Sequence, residues 1–208
     1  MVCKVRVKIC GITRIEDAIL CAELGADAIG FIFYKKSKRF IEYDSAKSII
    51  DALPFFIHKV GVFVDESINT INHTSKLIGL TAVQLHGNET QSDIEKINLP
   101  VIKALRISDE SDLNQINNYK NCKILLDAFS NNELGGTGKK FNWNFIPEKI
   151  KKRVILSGGI KVNDLEFIFS QIKPEGIDLS SGVEVSPGIK DHKILTEFFI
   201  EYRKLRGY

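Results

Sequence analysis

Three observations predict a single-domain α/β fold, a (β/α)8 or TIM barrel running over residues 1–208. Strand-like and helix-like stretches alternate from end to end, with no shift in composition that would mark a second domain. Eight such units share the 208 residues, 26 each, about the least that a strand, a crossover helix and two loops need. Continuous β-then-α order implies a parallel sheet, and eight repeats point to one that closes on itself. An open doubly wound sheet is the runner-up. No G-x-G-x-x-G follows the first strand, which counts against a dinucleotide-binding version of it.

The first unit sets the pattern. Val5, Val7 and Ile9 alternate with polar residues at strand period, and the run breaks at Cys10-Gly11. Thr13 and Asp17 then read as the capped start of a helix over 15–24, closed by Gly25. Residues 28–33 form the second strand, and Asp44 caps a helix through Ala52. A third strand over 57–64 leads to a helix that begins at Ser67 and stops at Gly79. The fourth unit pairs a strand at 82–85 with a helix from about Thr90 to Ile97, and the fifth a strand at 101–105 with a polar helix near Ser108. Residues 123–127 make the sixth strand, followed by the longest connection without an evident element, 128–140. Loops of that length in compact domains are often functional. Strands at 154–156 and 177–179, helices at 162–171 and 194–205, complete the count.

Composition narrows the function classes. A hydrophobic fraction of 44% and a charged fraction of 26% are ordinary for a globular protein. With 29 basic and 26 acidic residues the net charge is only +3, too weak to imply nucleic acid or a membrane surface as partner. No apolar run approaches the ~18–20 residues of a membrane span, and no signal-peptide core precedes the first strand, so a cytoplasmic location with reduced thiols is expected. The four cysteines, Cys3, Cys10, Cys21 and Cys122, form no C-x-x-C pair. No cluster of His and carboxylates has metal spacing, so no metal is expected.

Ligands bind at the C-terminal ends of parallel strands, so the residues there are the candidates for chemistry. Cys10 ends the first strand beside a permissive glycine, and a packed, inert thiol is the alternative reading. Asp127 ends the sixth strand on the same rim, where a cap or a salt bridge is the plainer role. Together they make a candidate acid–base pair. Arg39 closes the basic run Lys35-Lys36-Ser37-Lys38-Arg39 and can grip a carboxylate through two parallel hydrogen bonds. His86 ends the fourth strand and Asp178 lies in the last; each suits structural support or substrate contact. Glycines cluster after the late strands, at Gly135-Gly136-Thr137-Gly138, Ser157-Gly158-Gly159 and Ser180-Ser181-Gly182. There backbone N–H groups can approach an anion closely, and barrels often hold phosphate at the loops after strands seven and eight. Gly136, Gly138, Gly158, Gly159, Ser181 and Gly182 are the candidate phosphate ligands.

At these residues the chain resembles the phosphoribosylanthranilate isomerase family. The likeness covers essentially the whole length. It rests on Val7-Lys8-Ile9-Cys10-Gly11-Ile12-Thr13, residues 25–31, Ser37-Lys38-Arg39, Val60-Gly61-Val62-Phe63, Val83-Gln84-Leu85-His86-Gly87, Leu125-Leu126-Asp127, the three glycine clusters, and Val183-Glu184 with Pro187-Gly188-Ile189-Lys190-Asp191. The resemblance implies an Amadori rearrangement of N-(5-phosphoribosyl)anthranilate to 1-(o-carboxyphenylamino)-1-deoxyribulose 5-phosphate. It implies Asp127 as general acid, Cys10 as general base and Arg39 on the anthranilate carboxylate. The reaction is internally redox-neutral, so no cofactor is expected. The partner is a small phosphosugar–anthranilate molecule, and the protein itself a monomer or homodimer. Two other readings compete: a different phosphosugar isomerase or epimerase barrel, and a non-catalytic phosphate-ligand sensor. The related isomerase family of histidine biosynthesis uses aspartates as both acid and base, an epimerase of this kind needs metal ligands, and a sensor needs no acid–base pair at all.

Overall fold

The computed structural model describes residues 5–128 and 141–207. Eight parallel strands close into a barrel: β1 (Arg6–Cys10), β2 (Ala28–Ile32), β3 (His58–Phe63), β4 (Ala82–Leu85), β5 (Val101–Ile107), β6 (Lys123–Ala128), β7 (Val154–Leu156) and β8 (Gly176–Leu179), which pairs back onto β1. Around them run α1 (Ile15–Leu24), α2 (Tyr43–Ala52), α3 (Ile68–Ile78), α4 (Gln91–Ile94), α5 (Glu148–Lys151), α6 (Leu165–Phe167) and α7 (His192–Leu205). One continuous core joins strands to helices; Val7, Ile9, Ile29, Phe31, Leu126 and Ile177 are fully buried in it. The alternation read from the first strand is the reason. Val7 and Ile9 pack into that core, while Lys8 and Cys10 stand toward the barrel axis.

Several helices differ from the sequence reading. The Thr13–Asp17 cap of α1 does not form: Arg14 occupies the cap position without a side-chain hydrogen bond. Thr13 Oγ1 instead donates to Gly188 O at 2.6 Å, and the buried Asp17 accepts from Lys190 N at 2.9 Å and lies 2.7 Å from His192 Nε2. Long-range partners took the side chains that local capping would have used. Asp44 likewise makes no cap, since α2 starts two residues earlier, with Glu42 at the cap position. Ser67 does cap α3, accepting from Thr70 N. Helix α4 is a single capped turn: after Ile94 the chain tightens, with Lys96 N on Asp93 O and Ile97 N on Ile94 O, and Asn98 N leaves for Asn72 Oδ1. After β5 the polar stretch Glu110–Asn118 winds as a 3-10 helix with an Asp109–Asp112 capping box. Its Asp, Ser and Asn side chains compete for the backbone and favour tight turns. Residues 162–172 pass from a 3-10 turn through α6 to a π-helical turn.

The sequence reading missed a β-hairpin after β8. Strands β9 (Glu184–Ser186) and β10 (Ile189–Lys190) pair antiparallel across Pro187-Gly188, with Gly188 at φ +84°, as the third residue of a type II turn requires. This hairpin folds over the seam between the first and last strands. Lys190 Nζ donates to Cys10 O at 2.6 Å, and Tyr202 OH of α7 donates to Val5 O at 2.7 Å.

Candidate active site

Cys10, Arg39, His86, Asp127 and Asp178 line one pocket at the C-terminal ends of the strands, together with Gln84, Ser157 and Ser180. Barrel enzymes work at that end, where each strand hands its last side chain to the loops. Larger cavities exist, about 340 Å3 beside Cys122 and about 610 Å3 at the opposite end; the second is lined by Arg6, Lys8, Asp27, His58, Lys123 and Glu175, but neither contains Cys10 or Asp127.

The carboxylate of Asp127 accepts from its neighbour's backbone, Ala128 N, at 3.1 Å, and its Oδ2 lies 3.4 Å from His86 Nε2. His86 Nδ1 in turn lies 3.3 Å from Gln84 Nε2. Three buried polar atoms in this pocket, Gln84 Oε1, His86 Nε2 and Ser180 Oγ, have no hydrogen-bond partner among the described residues. Buried polar atoms are normally satisfied, so three together suit a hydroxylated ligand.

Asp178 gives both carboxylate oxygens to Lys8 Nζ, each at 3.0 Å, deep in the barrel. Burial raises the Asp178 carboxyl above its ordinary range, against the pull of Lys8, and Asp127 raises it further. Burial likewise pushes the Cys10 thiol up, opposed by the nearby Lys8 ammonium. Arg39 does grip a carboxylate, and within the chain that carboxylate is Glu184. Its guanidinium grips Glu184, Nε to both oxygens at 3.0 Å and Nη2 to Oε2 at 2.7 Å, and Lys190 Nζ holds the same carboxylate at 2.7 Å. Burial opposes the charge on Glu184, and the hydrogen bonds from Arg39 and Lys190 outweigh it, keeping that carboxyl below its usual range.

Gly158 and Gly159 turn the loop after β7 with φ of +90° and +61°, and among the described residues neither N–H bonds to a backbone carbonyl. Gly182 lies so close to that loop that a Cβ on it would come within 2.3 Å of Ile160 O. The loops after β7 and β8 therefore meet through backbone, with Ser181 beside them. Gly136 and Gly138 lie outside the described residues. Among those residues, no group of three or more His, Cys, Asp or Glu is placed to hold a metal ion. Sequence reasoning missed Lys8, Gln84, Glu184 and Lys190, although each lies within a quoted motif.

A parallel barrel with a thiol and a carboxylate on one rim defines a class, the (β/α)8-barrel enzymes of acid–base chemistry. Comparison with known proteins narrows it. The family model for N-(5'-phosphoribosyl)anthranilate isomerase matches residues 7–201. The Thermotoga neapolitana protein of that name is 46% identical over 207 residues, 98% of this chain and 99% of its own. A crystal structure of the Thermotoga maritima isomerase matches with a TM-score of 0.89 at 41% identity, over 99% of this chain and 100% of that one. Another, of the isomerase in complex with reduced 1-(o-carboxyphenylamino)-1-deoxyribulose 5-phosphate, matches with 0.86 at 40% over the same shares. A third, of monomers generated from the dimeric Thermotoga maritima isomerase, gives 0.86 at 39%, again over 99% and 100%. The chain belongs to the N-(5'-phosphoribosyl)anthranilate isomerase family, enzymes of tryptophan biosynthesis.

Proposed function

We propose that this protein converts N-(5-phosphoribosyl)anthranilate to 1-(o-carboxyphenylamino)-1-deoxyribulose 5-phosphate with Asp127 as general acid and Cys10 as general base. The observation that carries the assignment is their meeting in one pocket from β6 and β1, strands that are not neighbours in the barrel. Asp127 protonates the ribose ring oxygen, and the ring opens to an iminium at C1′. Cys10 as thiolate then takes the C2′ proton. The freed electron pair forms the C1′–C2′ double bond and returns the nitrogen to an amine, and the enol so formed tautomerises to the ketone. The imine is the electron sink, which leaves no step that needs a cofactor. His86, beside Asp127, suits a hydrogen bond to the sugar and to the acid. The unpartnered Gln84 and Ser180 atoms suit further hydroxyls.

Arg39 binds the anthranilate carboxylate with the guanidinium donors that Glu184 leaves available. The phosphate sits on the backbone of Gly158, Gly159, Ser181 and Gly182, with Gly136 and Gly138 as further ligands. Asp178, committed to Lys8, supports the site more than it contacts substrate. The partner is this small molecule and not nucleic acid, and the location is cytoplasmic. No helix among the described residues is long and apolar enough to cross a membrane. A homodimer is the better of the two assemblies. Phe55 and Phe56 stand 86% and 93% exposed beside the 610 Å3 cavity, an apolar pair that a second copy would cover. The direct test supplies purified protein with freshly made phosphoribosylanthranilate and follows the loss of its fluorescence. Unchanged fluorescence at high enzyme concentration overturns the assignment.

A further inference from the structure

We propose that Lys8 makes Cys10 usable as a base: its buried ammonium, fixed by Asp178 on one side, stands against the Cys10 sulfur on the other and supplies the positive charge a thiolate there requires. The proposal rests on reading Cys10 as the base. An ammonium has three donors. Two of those of Lys8 serve the Asp178 oxygens at 3.0 Å each, and the third is left for the side of the ammonium that faces Cys10 across Gly30. Both residues project to the same side of β1, two apart in the strand.

Room for this contact comes from the neighbouring strand. Gly30 pairs with Cys10 in register, and a Cβ on it would lie 2.8 Å from Cys10 Sγ and 3.1 Å from Lys8 Nζ. One missing side chain thus opens the space that sulfur and ammonium share. Lys8 is 4% exposed and Cys10 5%. Apolar replacements for a buried ion pair are often neutral or stabilising, so stability alone gives little reason for a lysine at this depth.

The other charges around Cys10 do not take this role. Lys190 of β10 bonds the Cys10 carbonyl oxygen, Arg39 packs over Gly11 but commits its guanidinium to Glu184, and Asp178 of β8 opposes a thiolate. Asp127 and His86 lie elsewhere on the pocket wall. Lys8 is the foremost group opposing the burial that pushes the thiol up. It keeps its own proton despite that burial, because Asp178 and Cys10 raise it. Lys8 is a positioning residue: it neither gives nor takes a proton in the reaction.

The test compares Asp178→Asn with the double variant Lys8→Met/Asp178→Asn, which differ only at Lys8 and strand no carboxylate. Iodoacetamide labelling of the Cys10 peptide is followed by mass spectrometry across pH, with Cys21, a buried thiol pushed up to about 12, as internal reference. The Cys10 midpoint should rise by a pH unit or more on loss of Lys8, about tenfold slower labelling at fixed pH below both midpoints. The acidic limb of the kcat profile should move with it. Coincident midpoints overturn the proposal. Lys8→Arg keeps the charge and should keep the wild-type midpoint, so a rise of a full unit there overturns it even if the methionine variant fails to fold. The base reading fails separately: Cys10→Ala with near-normal turnover removes the base, whatever the midpoints show.

Discussion

The two ends of the barrel use charge in opposite ways. At the N-terminal end the ion pairs are wet: Arg6–Asp27 and Lys123–Glu175 have side chains 56%/18% and 57%/34% exposed. Toward the C-terminal end they are dry, with Lys8–Asp178, Arg39–Glu184 and Lys103–Glu89 at 5%/6%, 9%/3% and 2%/4%. Exposed pairs contribute about 0–1 kcal/mol, and either partner can be lost with little effect. Buried pairs carry a desolvation cost of several kcal/mol per ion and are retained where a fixed charge is needed. Apolar surface shows the reverse. The N-terminal end exposes Phe55 and Phe56, whereas the catalytic rim turns polar atoms into its pocket. One end leaves apolar rings in solvent, and the other keeps its charges paired and out of water.

The contrast can be broken most sharply at the rim. Cys10→Ala and Asp127→Asn should each fold, bind a product analogue and lose ~10²–10⁴-fold in kcat. Their losses should not multiply in the double variant, because both serve one proton-transfer sequence. Turnover near wild type in either would remove that residue from its role.

Arg39→Ala should come next, raising KM for the carboxylated substrate by roughly 10–100-fold, the worth of a charge-assisted contact of about 1.5–3 kcal/mol. Binding of a bare sugar phosphate should fall less, and titration of both ligands decides it. Arg39→Lys should restore only part of the loss, as a point charge lacks the planar fork.

Gly159→Asp should weaken phosphate-bearing ligands severalfold or more while leaving the thermal midpoint near wild type, since aspartate tolerates φ of +61°. Gly182→Asp is the poorer probe, because its Cβ would collide with Ile160 O at 2.3 Å and so disturb the loops themselves. Equal affinity for a product analogue in Gly159→Asp would move the phosphate elsewhere.

Glu184 ties a smaller, pH-dependent effect to the same rim. Its carboxyl is held below the ordinary value of about 4.3, so its ion pairs contribute fully above that pH and are lost as pH falls through the depressed folded value. Acid unfolding of Glu184→Gln should be less steep over that range, with stability at pH 7 reduced. An identical acid profile would mean that Arg39 and Lys190 gain nothing from its charge.

At the other end, Phe55→Ser/Phe56→Ser should leave kcat unchanged and shift only the sedimenting species from dimer to monomer. Loss of turnover there would erase the separation between the two ends.

The strands were legible because short apolar runs bounded by turn residues, with period-two alternation in the first, meet few rivals for that conformation in an alternating chain, and a strand lies at each of the eight places. Cys10, His86, Asp127 and Asp178 converge because a residue among or just beyond the last residues of a strand has its place fixed by the barrel, whereas Arg39, seven residues past β2, is brought in by its grip on Glu184. The helices after β4, β5 and β7 were harder, because short polar segments such as Glu110–Asn118 choose among tight windings by local side-chain bonds. Lys8 and Glu184 were invisible for another reason. Their partners lie 170 and 145 residues away, and nothing local in a sequence records a bond of that span. The Thr13–Asp17 cap failed for want of the same information.

The seam between β8 and β1 differs from every other strand pair in the ring. Consecutive strands elsewhere are tied by the chain that runs between them, but here only non-covalent bonds close the circle. Lys8–Asp178, Lys190 to Cys10 O and Tyr202 to Val5 O all cross it. The first two of these bonds also flank the thiol. A change that loosens this joint is therefore expected to disturb the surroundings of the thiol together with the closure of the ring.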